Sequence, residues 1–493
     1  MDNEQKAQNI ITDANNSDVE KMDSYSRQKR EAALTYERQG KYLSTPVNRY
    51  QLILLICSVV ASIFLIILLI IFLSSKYQRF YFDNRPITYV FFVLIGLLGL
   101  SLAGLAVLNA MASVQLPSYD EYKRMSRDIQ TMKSLSRFPE LLDFDQNHPT
   151  FEKVQNETTL SLRGICNTFR CYMSENLHLY YSIEDVRRFI SSLAVSKMMI
   201  LQGMSGTGKT SISIAFGKFI GVESVVVPIQ PMWKEKSDLL GYYNEFTGKF
   251  NETTILKLLY EASNSNKIFV VVLDEMNIAR VEYYFSEFLS LLELPNNADR
   301  DVVVASSGVY GDPKRMSHGK IPLPSNVWFL GTANNDDSTF AISDKVYDRA
   351  MVMNLNQKTA PFEADAASSQ INLSADRFEQ LTKDALTMFS LSQESEAKIN
   401  ELDEFLIKNF EITFGSRILM QMRKYVPIYM ACGGSEIEAI DDIICKKLLR
   451  KLEGKNPVYV RSKSEELLAL LDRLFGEDAM STSIEYIKRL TTI

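Results

Sequence analysis

Residues 203–210 read Gly203, Met204, Ser205, Gly206, Thr207, Gly208, Lys209 and Thr210, a complete G-x-x-x-x-G-K-T loop. The residue types define the chemistry. The glycines let backbone N–H groups wrap a phosphate, Lys209 reaches the β- and γ-phosphates, and the Thr210 hydroxyl holds Mg²⁺. Further along, the β-branched and aromatic run 268–273 ends in Asp274 and Glu275. A carboxylate at the tip of a buried parallel strand suits the water shell of Mg²⁺, and its neighbour suits polarisation of an attacking water. Such a pair is weak evidence alone and strong evidence behind this loop. A third run, 327–330, leads through Gly331, Thr332 and Ala333 to Asn334 and Asn335. Asn334 would orient the attacking water, unless it and Asn335 simply cap the turn. Arg349 ends a short helical stretch, from which a cation would reach a neighbouring subunit's γ-phosphate. Arg417 follows Gly415 and Ser416 at the start of an apolar helix and would close over the phosphates from a separate lid. Either arginine read alone is equally a surface charge.

These groups need strands to carry them and helices to cover the strands. Residues 198–201 have a buried-strand pattern and run directly into the loop, and 212–219 form an apolar helix after it. Before them, 181–193 show apolar residues at helical spacing, opened by Ser182 with Asp185 in a variant of the capping box. Residues 301–322 are expected to form a β-hairpin with its tip near a ring axis, where Lys314, Arg315 and Lys320 add positive charge; the alternative is a solvated loop.

The N-terminal part has a different character. Residues 52–73 contain no charge and at ~1.5 Å per residue would span roughly 33 Å, enough for a hydrocarbon layer of ~30 Å. A second run, 87–111, carries Gly96, Gly99 and Gly104, spaced for close helix approach. Between them Tyr77, Phe80, Tyr81 and Phe82 suit a membrane interface. The expectation is a two-pass membrane hairpin with both termini and the nucleotide site in the cytosol. The positive charges flanking the runs do not vote on orientation; the nucleotide pool does. The chain therefore divides into a polar segment 1–50, a transmembrane hairpin 51–111, a connector 112–178, an α/β domain 179–356, and a linker, helical lid and C-terminal extension 357–493.

Composition excludes some functions. A net charge of -6, from 54 basic and 60 acidic residues, argues against a generally basic nucleic-acid coat but leaves room for a local basic pore, so nucleic acid stays open as a partner that net charge does not support. The 5 cysteines and 3 histidines have no metal-site spacing, which fits reduced thiols.

With these residues in place, 181–454 resemble the AAA+ ATPases of the McrB-like branch, near the MoxR-like proteins. The resemblance rests on Leu273, Asp274, Glu275, Met276, Asn277, Ile278, Ala279 and Arg280 with Phe285, Glu287 and Leu291. It also rests on Asn334 and Asp337 as an M-N-x-x-D signature with Ala333 for the methionine, and on 239–250 as a hairpin interrupting the second helix. It implies an α/β P-loop AAA+ parallel sheet with a helical lid, Arg349 as a trans-acting finger, Arg417 as second sensor and Asp337 as a further catalytic residue. It also implies Mg²⁺ with ATP or GTP, and a homo-oligomeric ring, most simply a hexamer, with a separate effector or substrate protein in a prokaryotic defence system. Nothing in the resemblance covers the first 150 residues.

Two functions follow from different classes. In one, hydrolysis drives remodelling or translocation of a partner. In the other, nucleotide binding assembles a signalling switch at the membrane and slow turnover resets it. A passive receptor is disfavoured by the presence of Lys209, Asp274 and Glu275.

Overall fold

Three apolar runs become the buried centre of a parallel sheet. In the computed structural model β1 (Met198–Gln202), β5 (Phe269–Asp274) and β8 (Val327–Ala333) lie side by side, with β2 (Val225–Pro228) and β9 (Met351–Asn354) at the edges. The order β2-β5-β8-β1-β9, all parallel, fits an AAA+ fold. Side chains alternate between the faces, as the period of two requires. Met199, Leu201, Val270, Val272, Trp328 and Leu330 enter one core, while Met198, Ile200, Val271, Leu273, Val327 and Phe329 enter the other. Strands covered on both faces need continuous apolar sequence, which is why these runs show no polar positions.

The structure describes residues 136–492, except 149, 155–159, 295–298, 307–311, 335–338, 357–358 and 365–368, together with the isolated helical positions Val60, Ile63, Val93, Gly96, Gly99 and Gly104. The chain divides into units 1–135 and 136–493, and the described fold belongs to the second. But for those six positions, the runs 52–73 and 87–111 lie outside the described residues. Among the described residues no helix is long and apolar enough to cross a membrane.

Helices cover both faces. Before the sheet come α1 (Pro139–Asn147), α2 (Leu162–Leu177) and α3 (Ile183–Val195). Ser182 caps α3 by accepting from Asp185 N at 3.0 Å, and Asp185 itself pairs with Arg188 at 3.2 Å. From 136 onward the expected connector is thus built into the domain: Phe138 and Leu141 join one core, and Ile165, Phe169 and Met173 the other. Then follow α4 (Lys209–Phe219), α5 (Lys236–Leu240), the hairpin β3 (Gly241–Asn244) and β4 (Lys249–Glu252), α6 (Thr254–Ala262), α7 (Val281–Tyr284), α8 (Ser286–Leu291) and α9 (Asp344–Tyr347). The lid comprises α10 (Ala375–Met388), α11 (Gln393–Phe410), α12 (Gly415–Ala431), α13 (Glu436–Lys447), α14 (Pro457–Phe475) and α15 (Ser481–Thr492).

The hairpin expected over 301–322 forms, as β6 (Asp301–Val303) against β7 (Lys320–Pro322). The expectation for its charges needs correction at Arg315, whereas Lys314 and Lys320 are exposed. Asp145 of α1, with no side-chain exposure, accepts from Arg315 Nη1 at 2.9 Å, from Lys314 N at 2.8 Å and from Tyr260 Oη at 2.8 Å. Arg137 pairs likewise with Asp312 at 2.8 Å. A guanidinium held by a buried carboxylate of its own chain is no free charge for an anionic partner, and 307–311, where the tip was expected, lie outside the described residues.

Candidate nucleotide site

The loop turns where only glycine turns easily. Gly203 and Gly208 have φ of 146° and 91°, and a Cβ at Gly203 would strike the Leu355 carbonyl while one at Gly208 would strike the Tyr181 hydroxyl. That hydroxyl donates to Gly208 O at 2.8 Å, tying the chain before α3 to the loop. Lys209, the first residue of α4, donates from Nζ to Gly203 O at 3.0 Å and Met204 O at 2.7 Å. Its ammonium is therefore held inside the curve of the loop, where phosphate oxygens would converge.

Sheet register supplies the second half. Leu273 lies opposite Gly331, and Thr332 opposite Leu201, so Asp274, Thr332 and the loop share the C-terminal ends of the strands. Thr210 Oγ1 and Thr332 Oγ1 each donate to Asp274 Oδ1 at 2.8 Å, and Glu275 N donates to Thr332 Oγ1 at 2.9 Å. Glu275 has φ 52° and ψ 46°, a left-handed conformation costing an ordinary residue about 1–2 kcal/mol, and it turns the exposed carboxylate away from the strand. Asn277 donates from Nδ2 to Asn334 O at 2.9 Å, fixing the backbone that carries the Asn334 amide. Thr332 and Asn277 were not singled out as site residues by sequence reasoning. A hydroxyl next to the end of an otherwise apolar strand was the available signal for Thr332. Asp337 lies outside the described residues.

A cleft of about 640 Å³ opens beside Gln202 and Gly203 and is lined by Asn277 and Asn334 on one wall and by Arg450 and Arg489 of the lid on the other. Its size suits a small-molecule ligand. Arg450 stacks 3.7 Å from the Tyr347 ring centre and pairs with Asp344; Arg489 lies 5.1 Å from the Tyr486 ring centre. Thr210 and Asp274 would offer Mg²⁺ a hydroxyl and a carboxylate oxygen already converging, and so few protein oxygens fit an ion that keeps several waters. Among the described residues no cluster of three or more His, Cys, Asp or Glu could hold a metal on its own.

The two arginines are brought together, but not at the loop. Ser196, which precedes β1, donates from Oγ to Arg349 O at 3.2 Å, so Arg349 sits at the N-terminal ends of the strands. The five residues of β1 separate it from Gly203 by roughly 16 Å. Arg417 lies beside it: Arg349 Nη2 is 2.8 Å and Arg417 Nη2 2.5 Å from the two oxygens of Glu293. Arg417 was expected to close over the phosphates from a lid; in this chain α12 begins against the stretch after α8 rather than over the cleft, so the phosphates it could reach are not its own chain's. Behind them Lys447 of α13, fully buried, donates to Tyr347 O at 2.6 Å and to Ala350 O. Burial pushes its amine down to about 7, with Asp348 opposing and Arg450, Lys451 and Arg417 reinforcing the shift.

A family model described as a domain of unknown function, DUF8727, matches residues 368–492, the lid. No curated protein matches the chain. Among solved structures, a candidate ATPase from Cytophaga hutchinsonii is similar at 14% identity and a TM-score of 0.40, over 70% of this chain and 98% of that one. A full-length MCM homologue from Methanopyrus kandleri is similar at 11% identity and a TM-score of 0.34, over 57% of this chain and 59% of that one.

Proposed function

We propose that the chain is a membrane-anchored nucleoside triphosphatase of the AAA+ class, hydrolysing ATP or GTP in a ring, most simply a hexamer, to remodel or move a partner protein. The observation that carries the reading is the contact of Thr210 Oγ1 with Asp274 Oδ1, which joins a complete phosphate loop to a strand-end carboxylate pair in one sheet. The loop's backbone N–H groups and Lys209 bind and orient the phosphates. Glu275, turned outward, accepts a proton from the attacking water, and the Asn334 amide orients that water. When bound, Mg²⁺ supplies charge neutralisation between the phosphates, with Thr210 and Asp274 as its protein neighbours. Arg349 and Arg417 lie too far from their own loop to serve it, which supports action on a neighbour's nucleotide.

The finer parts of the reading rest on sequence. The McrB-like resemblance supports a separate effector and a role in prokaryotic defence, and the apolar runs 52–73 and 87–111 support a two-pass anchor with both termini cytosolic. The decisive experiment measures phosphate release and nucleotide binding together. Glu275→Gln should abolish release while binding survives, and Lys209→Ala should lose binding. Release by Glu275→Gln at the wild-type rate would sink the assignment. Topology is tested separately: Asn84→Cys should react with an impermeant thiol reagent on intact cells, and reaction only after lysis would exclude the proposed orientation.

A further inference from the structure

At the N-terminal ends of the strands lies a cavity of about 820 Å³, lined by three arginines, Arg300, Arg349 and Arg417, by Lys197 and Lys424, and by two carboxylates, Glu293 and Glu379. Its charge invites an anion, and its one well-placed internal anion is Glu293. That carboxylate offers one oxygen to Arg349 and the other to Arg417, at 2.8 and 2.5 Å. The guanidinium fork accepts carboxylate and phosphate with similar geometry. Glu293 does not satisfy Arg349: its Nε and Nη1 are buried with no hydrogen-bond partner among the described residues. Buried donors need acceptors. A carboxylate whose two oxygens are both engaged has little left to offer them, whereas a terminal phosphate brings three oxygens to the same place.

We propose that Glu293 is an internal stand-in for the terminal phosphate of a nucleotide held by a second copy of this chain, and that assembly exchanges the carboxylate for that phosphate. The inference rests on the shared-site reading above and adds to it a residue that holds both arginines until a neighbour arrives. The chain's own nucleotide is excluded as the occupant, since β1 stands between the loop and the cavity. Glu293, 29% exposed, is placed to withdraw without unpacking a core.

The test measures hydrolysis by the full chain in detergent against protein concentration, with ATP and with GTP. In Glu293→Gln, which keeps the shape and loses the charge, the concentration for half-maximal rate should fall by about fivefold or more, the lower end of ordinary coupling between sites. Affinity for a fluorescent nucleotide analogue at its own cleft should be unchanged. Glu293→Asp, whose shorter carboxylate spans one arginine at a time, should shift the midpoint the same way by less, and serves if the Gln variant does not fold. A midpoint that stays put or rises in a folded variant overturns the stand-in. So does tight binding of inorganic phosphate by the dispersed Glu293→Gln chain with no change of midpoint, which would make the cavity a site for free anions. A wild-type rate independent of concentration would instead bring down the shared site itself, a distinguishable failure.

Discussion

The two ends of the parallel sheet are built in different ways, and the proposed function asks them to act as two halves of one chemistry. At the C-terminal ends are glycines, hydroxyls and carboxylates on short turns, held by backbone and by hydrogen bonds of 2.8 to 2.9 Å among Thr210, Asp274, Thr332 and Glu275. At the N-terminal ends are long cationic side chains that meet only because the lid docks there: Gln421 donates to Asp348 O at 3.1 Å and Lys447 to Tyr347 O at 2.6 Å. One half is organised by contiguous motifs set side by side by sheet register, and the other by the docking of the lid. On the shared-site proposal, halves at opposite ends of one chain call for head-to-tail assembly, a heterologous contact that gives a ring where the rotation closes and a filament where it does not.

The strongest way to break this contrast is to delete one charge from each end. Arg349→Ala should keep nucleotide affinity within about threefold and lose turnover by on the order of 10³-fold, as for trans-acting arginines elsewhere. Mixing sharpens it. Arg349→Ala and Glu275→Gln, each inactive alone, should regain activity in mixed rings, where some interfaces pair an intact Glu275 with an intact Arg349. Verified mixed rings without recovery would count against the division of labour.

Next in size is the tie between α1 and the β6–β7 hairpin. Asp145→Ala leaves Arg315 without its buried partner and should cost about 3–5 kcal/mol in urea unfolding. A loss under 1 kcal/mol would mean that solvent already satisfies the guanidinium. Basal affinity for nucleotide measured below the unfolding transition should not change.

A smaller effect separates the ends by pH. The folded pKa of Lys447 is about 7, below its ordinary 10.5, so between those values the unfolded chain binds more protons than the folded one and stability rises with pH. Lys197 adds a term of the same sign, its amine pushed down to about 7 chiefly by burial. Each contributes up to about 1.4 kcal/mol per pH unit. Urea midpoints should therefore climb between pH 7 and 9, and climb less in Lys447→Met; an unchanged slope in that variant would show that the amine stays charged. The smallest effect is at the C-terminal ends. Thr332→Val removes one hydroxyl that bridges Asp274 and Glu275 N, and should cost about 1 kcal/mol of stability with a modest loss of turnover.

The same contrast explains what the sequence revealed. The loop, the strand into it, the carboxylate pair and the 301–322 hairpin were legible because each is a contiguous pattern whose geometry follows from neighbours in the chain. Residues 198–201 read as a strand and lie within β1. The meeting of Arg349, Arg417 and Glu293 was not legible. They come from three elements far apart in sequence, and no local periodicity records that α12 begins beside the end of α8. The part played by residues from 136 onward in the core was hidden for a related reason, since prolines and mixed charge resemble a connector until the partner surfaces are known.

The burial of Asp145 bears on where this domain can be cut. A border drawn in front of the phosphate loop, at 179, would discard the carboxylate that neutralises Arg315 and the Arg137 that holds Asp312. A protease digesting the folded chain should therefore leave a resistant fragment that retains Arg137 and α1. Transplanting the domain behind another N-terminal segment, by recombination in a genome or at the bench, would have to carry α1 along with it.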